Sequence, residues 1–306
     1  MRFGIIGLGR MGANIARAAI EHGHHVVGHD HDEQAMADLA AEGVEPARTV
    51  GDLTSVLPSP RAVFLYVPHG EPTEAACRDL RALLAPGDVA VDGGNSHWED
   101  SQRRHAEFAE RRIRFLDMGT SGGVWGARHG ACFMAGGDPE AYALVAPLLI
   151  DLAYDERAVQ FVGAPGTGHF VKLVHNAIEF GMVQAIAEGV ELLERSGFSP
   201  DLPAAFDNWN HGSVIRSWLV ELMRDALQEH PDLDRLSTYV EDTGEVKWVL
   251  EWAMRRDIPS PVISDSQQAL MAYRDLDWPA AKAVALLRHG YGGHPVHLAD
   301  EQLVRS

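Results

Sequence analysis

Lys172, His175, Asn176 and Glu179 stand at positions i, i+3, i+4 and i+7 of one helix-forming stretch, so they share a face, while Val171, Val174 and Ile178 fall on another. An amine, an imidazole, a carboxamide and a carboxylate in one row can move protons. Burial or a neighbouring cation lowers a lysine pKa until the amine works as a base near neutrality, and burial keeps a carboxylic acid protonated as a donor. The same row equally suits a structural network between helices, and spacing alone leaves both readings open.

A second candidate site lies at the amino end. Gly7-Leu8-Gly9-Arg10-Met11-Gly12 is a complete GxGxxG that follows an apolar, β-branched run and precedes a helical one. The first glycine suits a tight turn, the second lets a pyrophosphate approach the backbone, and the third allows close helix-to-strand packing. The helix start then offers free N–H groups and a positive dipole end to phosphates. Asp30 follows eighteen residues after Gly12, where a carboxylate accepts from the adenine ribose hydroxyls or caps the next helix. It would repel a 2′-phosphate, and His31, Asp32 and Glu33 bring no arginine to hold one. NAD is therefore expected over NADP, with Val67 and Asn95 as further cofactor contacts. The histidines at 22, 24, 25, 29 and 31 are spaced onto several faces, which argues against a metal site.

These residues need a scaffold. Residues 2–8, 24–30, 62–68, 88–92 and 114–118 read as strands, alternating with helical periodicity over 11–21, 32–41, 73–84 and 98–111. A weaker strand at 132–135, a helix at 139–149 and a strand at 159–162 complete the pattern of a parallel sheet with helices on both faces. After the breaker cluster 163–168 the periodicity is purely helical: 169–196, 213–228, 244–256, 262–273 and 279–288. The expected fold is α/β, a Rossmann-type doubly wound sheet domain over 1–165, followed by an all-α C-terminal domain over 166–306. Asp92-Gly93-Gly94-Asn95-Ser96 and Met118-Gly119-Thr120-Ser121-Gly122-Gly123 read as loops beyond the carboxyl ends of strands, where such sheets bind ligands. Tight turns with polar caps would use the same residues.

With 26 Lys+Arg against 44 Asp+Glu, the formal net charge of the 306-residue chain is −18, which disfavours nucleic acid and anionic membrane surfaces as partners. Two cysteines, Cys77 and Cys132, cannot build a disulfide framework, and no leader-like or membrane-length apolar run stands out, so a cytoplasmic setting is expected.

Taken together, the glycine motif at 7–12, the 92–96 segment, Thr120-Ser121-Gly122-Gly123-Val124-Trp125-Gly126-Ala127, Gly136-Gly137-Asp138 and above all Gly168-His169-Phe170-Val171-Lys172-Leu173-Val174-His175-Asn176 resemble the decarboxylating 6-phosphogluconate dehydrogenases. The resemblance is nearest to their short, NAD-linked bacterial branch, within the wider β-hydroxyacid dehydrogenase superfamily. It implies that Lys172 takes the proton of a substrate 3-hydroxyl and later hydrogen-bonds the resulting carbonyl. Glu179 would protonate the enediol left after CO2 departs. Asn95, Ser121, Gly122, Gly123, His175 and Asn176 would hold a sugar acid's carboxylate and hydroxyls, with no metal required. Lys247 matches a phosphate ligand, although a solvated helix lysine is its plainer reading. Arg288 and His294, within Arg288-His289-Gly290-Tyr291-Gly292-Gly293-His294, match a tail that completes the neighbouring subunit's site, implying a homodimer or a dimer of dimers; a basic helix end with glycine caps reads as well.

Three departures bear on the substrate. Phe180 stands where a tyrosine is usual, Val249 where a threonine is usual, and Glu245-Val246 replaces a small, glycine-containing approach. A neutral hydrogen bond contributes about 1 kcal/mol and one to a charged group ~2 kcal/mol, so two missing hydroxyls weaken phosphate binding by about one to three orders of magnitude. Lys247, Arg288 and Arg274 are candidates to compensate. The expected substrate is 6-phosphogluconate, with 6-sulfogluconate, gluconate or a smaller 3-hydroxy acid as alternatives.

Overall fold

A computed structural model describes residues 1–273, 283–284 and 286–287. Eight strands form one sheet: β1 (Arg2–Ile6), β2 (His25–His29), β3 (Glu45–Pro46), β4 (Ala62–Leu65), β5 (Val89–Asp92), β6 (Arg114–Ser121), β7 (Cys132–Gly137) and β8 (Val159–Gly163), in the order β3-β2-β1-β4-β5-β6-β7-β8. Helices α1 (Arg10–Glu21), α2 (Glu33–Ala41), α3 (Val50–Ser55), α4 (Glu71–Leu83), α5 (Trp98–Ala109), α6 (Gly123–His129) and α7 (Pro139–Asp151) connect them. Side chains alternate across each strand, so Phe3, Ile5 and Phe64 enter one core, while Ile6, Val63 and Leu65 enter the other. Burial on both faces explains why these strands read as unbroken apolar runs.

The sheet is not parallel throughout, as the sequence pattern had suggested. β6 pairs antiparallel with β7, from Leu116 opposite Gly137 to Ser121 opposite Cys132, and β8 then runs parallel to β7. This pairing carries β6 three residues further than expected, so Gly119, Thr120 and Ser121 are strand rather than loop. The loop itself shrinks to the turn at Gly122, a left-handed residue (φ +112°) that starts α6. The short α3 also lay outside the periodicity reading. Its capping box was nevertheless present in Thr49-Val50-Gly51-Asp52: Thr49 Oγ1 accepts from Asp52 N at 3.0 Å, and Asp52 Oδ2 accepts from Thr49 N at 3.1 Å.

Beyond the sheet come α8 (Thr167–Glu194), α9 (Leu202–Asn210), α10 (Trp218–Glu229), α11 (Glu245–Met254) and α12 (Pro261–Ala272). α9, capped by Asp201 and opened by Pro203, was not anticipated. The helix expected at 279–288 lies outside the continuously described residues. The chain divides into two compact units: Met1–Glu179 joined by Glu245–Ile258, and Phe180–Gly244 with the segment beginning at Pro259. The two units meet within α8, and α11 belongs with the sheet. Val190, Leu202, Phe206, Val220 and Leu227 form a separate core in the second unit.

The amino end of α8 lies against the sheet at unusually short range. A Cβ on Gly168 would overlap the Asp117 carbonyl oxygen and sit 2.7 Å from Met134 O and 2.8 Å from Gly136 N. Buried Asp117 answers the helix's unpaired amides, its two oxygens accepting from Gly166 N at 2.7 Å and His169 N at 2.9 Å. Gly168→Ala should therefore lower the unfolding free energy by about 1–3 kcal/mol in urea titrations. Gly189, in the same helix with nothing within 4 Å of its Cβ position, provides the contrast: Gly189→Ala should raise stability by about 0.5–1 kcal/mol.

Candidate active site

The glycine motif links β1 to α1. Gly7 takes φ +95°, and a Cβ there would run into the Tyr66 carbonyl; a Cβ on Gly12 would meet the Gly7 carbonyl oxygen. The position of a Cβ on Gly9, by contrast, has nothing within 4 Å. Two glycines are thus forced by packing, and the third leaves open space at the start of α1, where a pyrophosphate needs backbone N–H groups and no side chain. Arg10 and Met11 begin the helix, and Leu8 N donates to Asp30 Oδ2 at 2.5 Å. Asp30 Oδ1 accepts from Asp32 N at 2.9 Å. The cap of α2 is Asp32, which accepts from Gln34 N and Ala35 N, rather than Asp30.

Asp30 lines a cleft of ≈ 700 Å³ with His29, His31, Met36, Ala47 and Arg48. Each carboxylate oxygen has a second lone pair, so a ribose hydroxyl can still be accepted. These features fit an adenosine dinucleotide. Arg48 is a cation that local sequence reading missed, because the loop after β3 brings it to the cleft from eighteen residues beyond Asp30. His29 Nδ1 is engaged with Ala47 O at 3.0 Å, and the His31 ring stands edge-on to it.

The 92–96 segment is held by buried charge. Arg104, with no exposed surface, donates to Asp92 Oδ2 at 3.0 Å and to Glu74 Oε1 at 2.7 Å. Asp92 in turn accepts from Ser96 Oγ at 2.7 Å and from Gly94 N at 3.1 Å, which fixes the turn carrying Asn95. Val67 lies just past β4, its Cγ1 2.9 Å from the Cβ position of Gly7.

Lys172, His175, Asn176 and Glu179 do form one row along α8. Lys172 is only 7% exposed. Its stem runs across Gly119, where a Cβ would overlap Lys172 Cβ and sit 2.9 Å from Cγ. Nζ donates to Asn176 Oδ1 and lies 3.5 Å from His175 Nδ1. His175 Nδ1 is 3.2 Å from the same carboxamide oxygen, and Nε2 is 3.0 Å from Ser121 Oγ. A consistent assignment puts the imidazole proton on Nδ1, donating to Asn176, with the Ser121 hydroxyl donating to Nε2. Glu179 Oε2 stands 3.9 Å from His175 Nδ1. Burial holds the Lys172 ammonium below the usual lysine range, partly opposed by the charges of Glu179, Glu245 and Cys132. The site can therefore supply a neutral amine as a proton acceptor, next to three hydrogen-bonding groups and a carboxylate.

Gly122 and Gly123 follow Ser121 at the turn into α6. Lys247 is in α11, two residues beyond Glu245, and Val249 is buried in the same helix. Phe180 is the first residue of the second unit. Arg274, Arg288 and His294 lie outside the described residues. Among the described residues no three His, Cys, Asp or Glu side chains converge as metal ligands, and no helix is long and apolar enough to cross a membrane.

Residues 2–163 match the NAD-binding domain of 6-phosphogluconate dehydrogenase, and residues 168–301 match that enzyme's C-terminal domain. YqeC of Bacillus subtilis, which is named for the same activity, is 45% identical over 296 residues, covering 96% of this chain and 98% of its own. An NAD(+)-dependent, decarboxylating 6-phosphogluconate dehydrogenase of Haloferax volcanii is 38% identical, covering 98% and 100%. The solved Plasmodium falciparum 6-phosphogluconate dehydrogenase, described with NADP+ and with 6-phosphogluconate, superposes with TM-score 0.82 at 27% identity, covering 99% of this chain and 67% of that one. A 3-hydroxyisobutyrate dehydrogenase from Mycobacterium tuberculosis shares the fold, with TM-score 0.73 at 24% identity over 89% of this chain and 93% of its own. With both of its domains matched and full-length relatives well above 30% identity, the chain belongs to the 6-phosphogluconate dehydrogenase family.

Proposed function

We propose that this protein carries out the NAD-dependent oxidative decarboxylation of 6-phospho-D-gluconate to ribulose 5-phosphate and CO2. The observation that carries the reading is the buried Lys172 amine, aligned with Asn176, His175 and Glu179 and backed by Ser121. The glycine motif and Asp30 would hold NAD+, which would supply the acceptor for the hydride leaving C3 of the sugar acid. Lys172, as the neutral amine, takes the C3 hydroxyl proton and, as the ammonium, donates to the new carbonyl oxygen. The carboxylate is then β to a carbonyl, so its C–C bond breaks to release CO2 while the electron pair moves into an enediol whose oxygen Lys172 reprotonates. Glu179 gives a proton to the carbon that lost CO2 while the enediol hydroxyl returns its proton to the Lys172 amine, completing the ketopentose. Ser121, Gly122, Gly123, His175, Asn176 and Asn95 hold the carboxylate and hydroxyls, while Lys247 and, from a second copy, Arg288 and His294 receive the phosphate end.

Gly7 to Gly12, with Leu8, Arg10 and Met11 between, would bind the pyrophosphate, Asp30 the adenine ribose, and Val67 and Asn95 the nicotinamide end. The NAD preference rests on Asp30, with the NAD(+)-dependent Haloferax relative in support. Exposed Val214, Ile215 and Trp218 in the second unit are apolar surface that a homodimer would cover. A gluconate analogue with a different terminal group is the second reading, favoured by the hydroxyl-free Phe180 and Val249.

NAD+ reduction with 6-phosphogluconate, 6-sulfogluconate and gluconate side by side, with CO2 trapped, tests the reading directly. Stoichiometric CO2 and NADH with one of the three is expected, the phosphorylated acid giving the highest kcat/KM; silence on all three overturns it. Lys172→Met should abolish turnover while leaving NAD+ binding intact in fluorescence titrations. The sign of the pH dependence follows from burial: log kcat/KM rises as Lys172 loses its proton, with a midpoint below the ordinary lysine value of about 10.4. Asp30→Ala should narrow the NAD/NADP preference, because Arg48 shares the cleft and only one acidic group, Glu33, is then left to oppose a 2′-phosphate. An unchanged cofactor ratio would remove Asp30 from that role.

A further inference from the structure

Glu245 is a carboxylate in an unexpected place. It is the first residue of α11 and only 7% exposed, joining Asp88, Asp92 and Asp117 among the buried acids. Its Oε1 accepts from Asn95 Nδ2 at 3.3 Å across 150 residues of sequence. Aromatic contacts on the same helix hold it there: the Trp248 ring meets His69 at 5.1 Å and His97 at 5.2 Å, and Trp252 meets Phe170 at 4.8 Å. His97 and Phe170 are joined in turn through Trp98, stacked on His97 at 4.1 Å and edge-on to Phe170 at 5.1 Å. The ends of β4 and β5 and the start of α8 thus clamp α11 with its carboxylate turned into the unit that carries Lys172.

A carboxylate can only accept hydrogen bonds, so it settles which end of the Asn95 carboxamide faces it. The NH2 group turns to Glu245, and Oδ1 is left to accept from a ligand. Burying a charge is costly unless it is paired, and two carboxylates act on the Lys172 ammonium, Glu245 from α11 and Glu179 from α8, with the His175 imidazole and the Cys132 thiol of β7 as its uncharged neighbours. Glu179 acts on Lys172 more strongly but is half exposed, and so more open to screening than the buried Glu245.

We propose that Glu245 is a positioning residue of the active site, fixing the Asn95 carboxamide with its oxygen toward the sugar acid and setting a buried negative charge against the Lys172 ammonium. The inference rests on the reading of Lys172 as the proton acceptor. The charge opposes the loss of the proton that burial favours, so that the Lys172 proton affinity is lowered less than burial alone would lower it.

Glu245→Gln preserves volume and removes the charge, and Glu245→Asp restores the charge on a shorter stem. Competitive acetylation of Lys172 with acetic anhydride, followed by mass spectrometry across pH, reads its protonation without substrate. In Glu245→Gln the midpoint should fall by about half a pH unit or more, and in Glu245→Asp it should return toward that of the parent. The acid limb of kcat/KM should move the same way, with KM for the sugar acid raised several-fold and NAD+ affinity unchanged. A Lys172 midpoint that coincides in the parent and Glu245→Gln proteins overturns the inference. A parent protein that shows the acetylation shift but reduces NAD+ with no six-carbon acid overturns the functional reading instead, leaving the electrostatic role of Glu245 in place.

Discussion

Three glycines, Gly119, Gly136 and Gly168, leave no side chain between the amino end of α8 and the strands β6 and β7, and the buried Asp117 carboxylate fastens the helix amides in that position. Most of the site's chemistry follows from this approach. Because the helix sits so close, the stem of Lys172 is pressed along Gly119 and its amine is removed from water, which brings its proton affinity down. A side chain on any of the three glycines would lift the helix and hydrate the amine. The antiparallel turn of β7 is part of the same arrangement, since it brings Gly136 beside Gly168 and Cys132 beside Ser121.

A second buried charge network does equivalent work at the neighbouring strand. Arg104, out of reach of water, pairs with the buried Asp92 and with the partly exposed Glu74, and the loop bearing Asn95 is built on the Asp92 pair. Removing one partner would leave an uncompensated charge in the core, a change that usually costs about 3–5 kcal/mol. The strongly negative balance of the chain therefore describes its solvated surface. Small anions meet a different field, set by helix amides beyond Gly9 and by a few buried cations.

Much of this was legible in the residues. The GxGxxG run, the apolar strands and the four polar residues at helical spacing each follow from local rules of turn, pleat and helix periodicity. Local rules fail where the decisive partner is remote. Nothing near residue 118 announces that β7 will return antiparallel and extend β6, and nothing near Asp30 shows Arg48 arriving from the next loop. Glu245 reads as an ordinary surface acid at a helix start until the fold places Asn95 against it. Short helices such as α3, α6 and α9 carry too few turns to register as periodicity, although Thr49 and Asp201 mark two of them by capping.

The path of the chain through its two units sets an order on synthesis. The strands and helices of the sheet are complete once β8 has left the ribosome, so the glycine motif and the cleft at Asp30 can form early. α11 comes much later, after the whole segment from Phe180 to Gly244 has been made. Until then the surface that receives Trp248 and Trp252 is bare, and Asn95 and Lys172 are without Glu245. A nascent chain is thus able to hold a dinucleotide well before it can complete the constellation around its lysine.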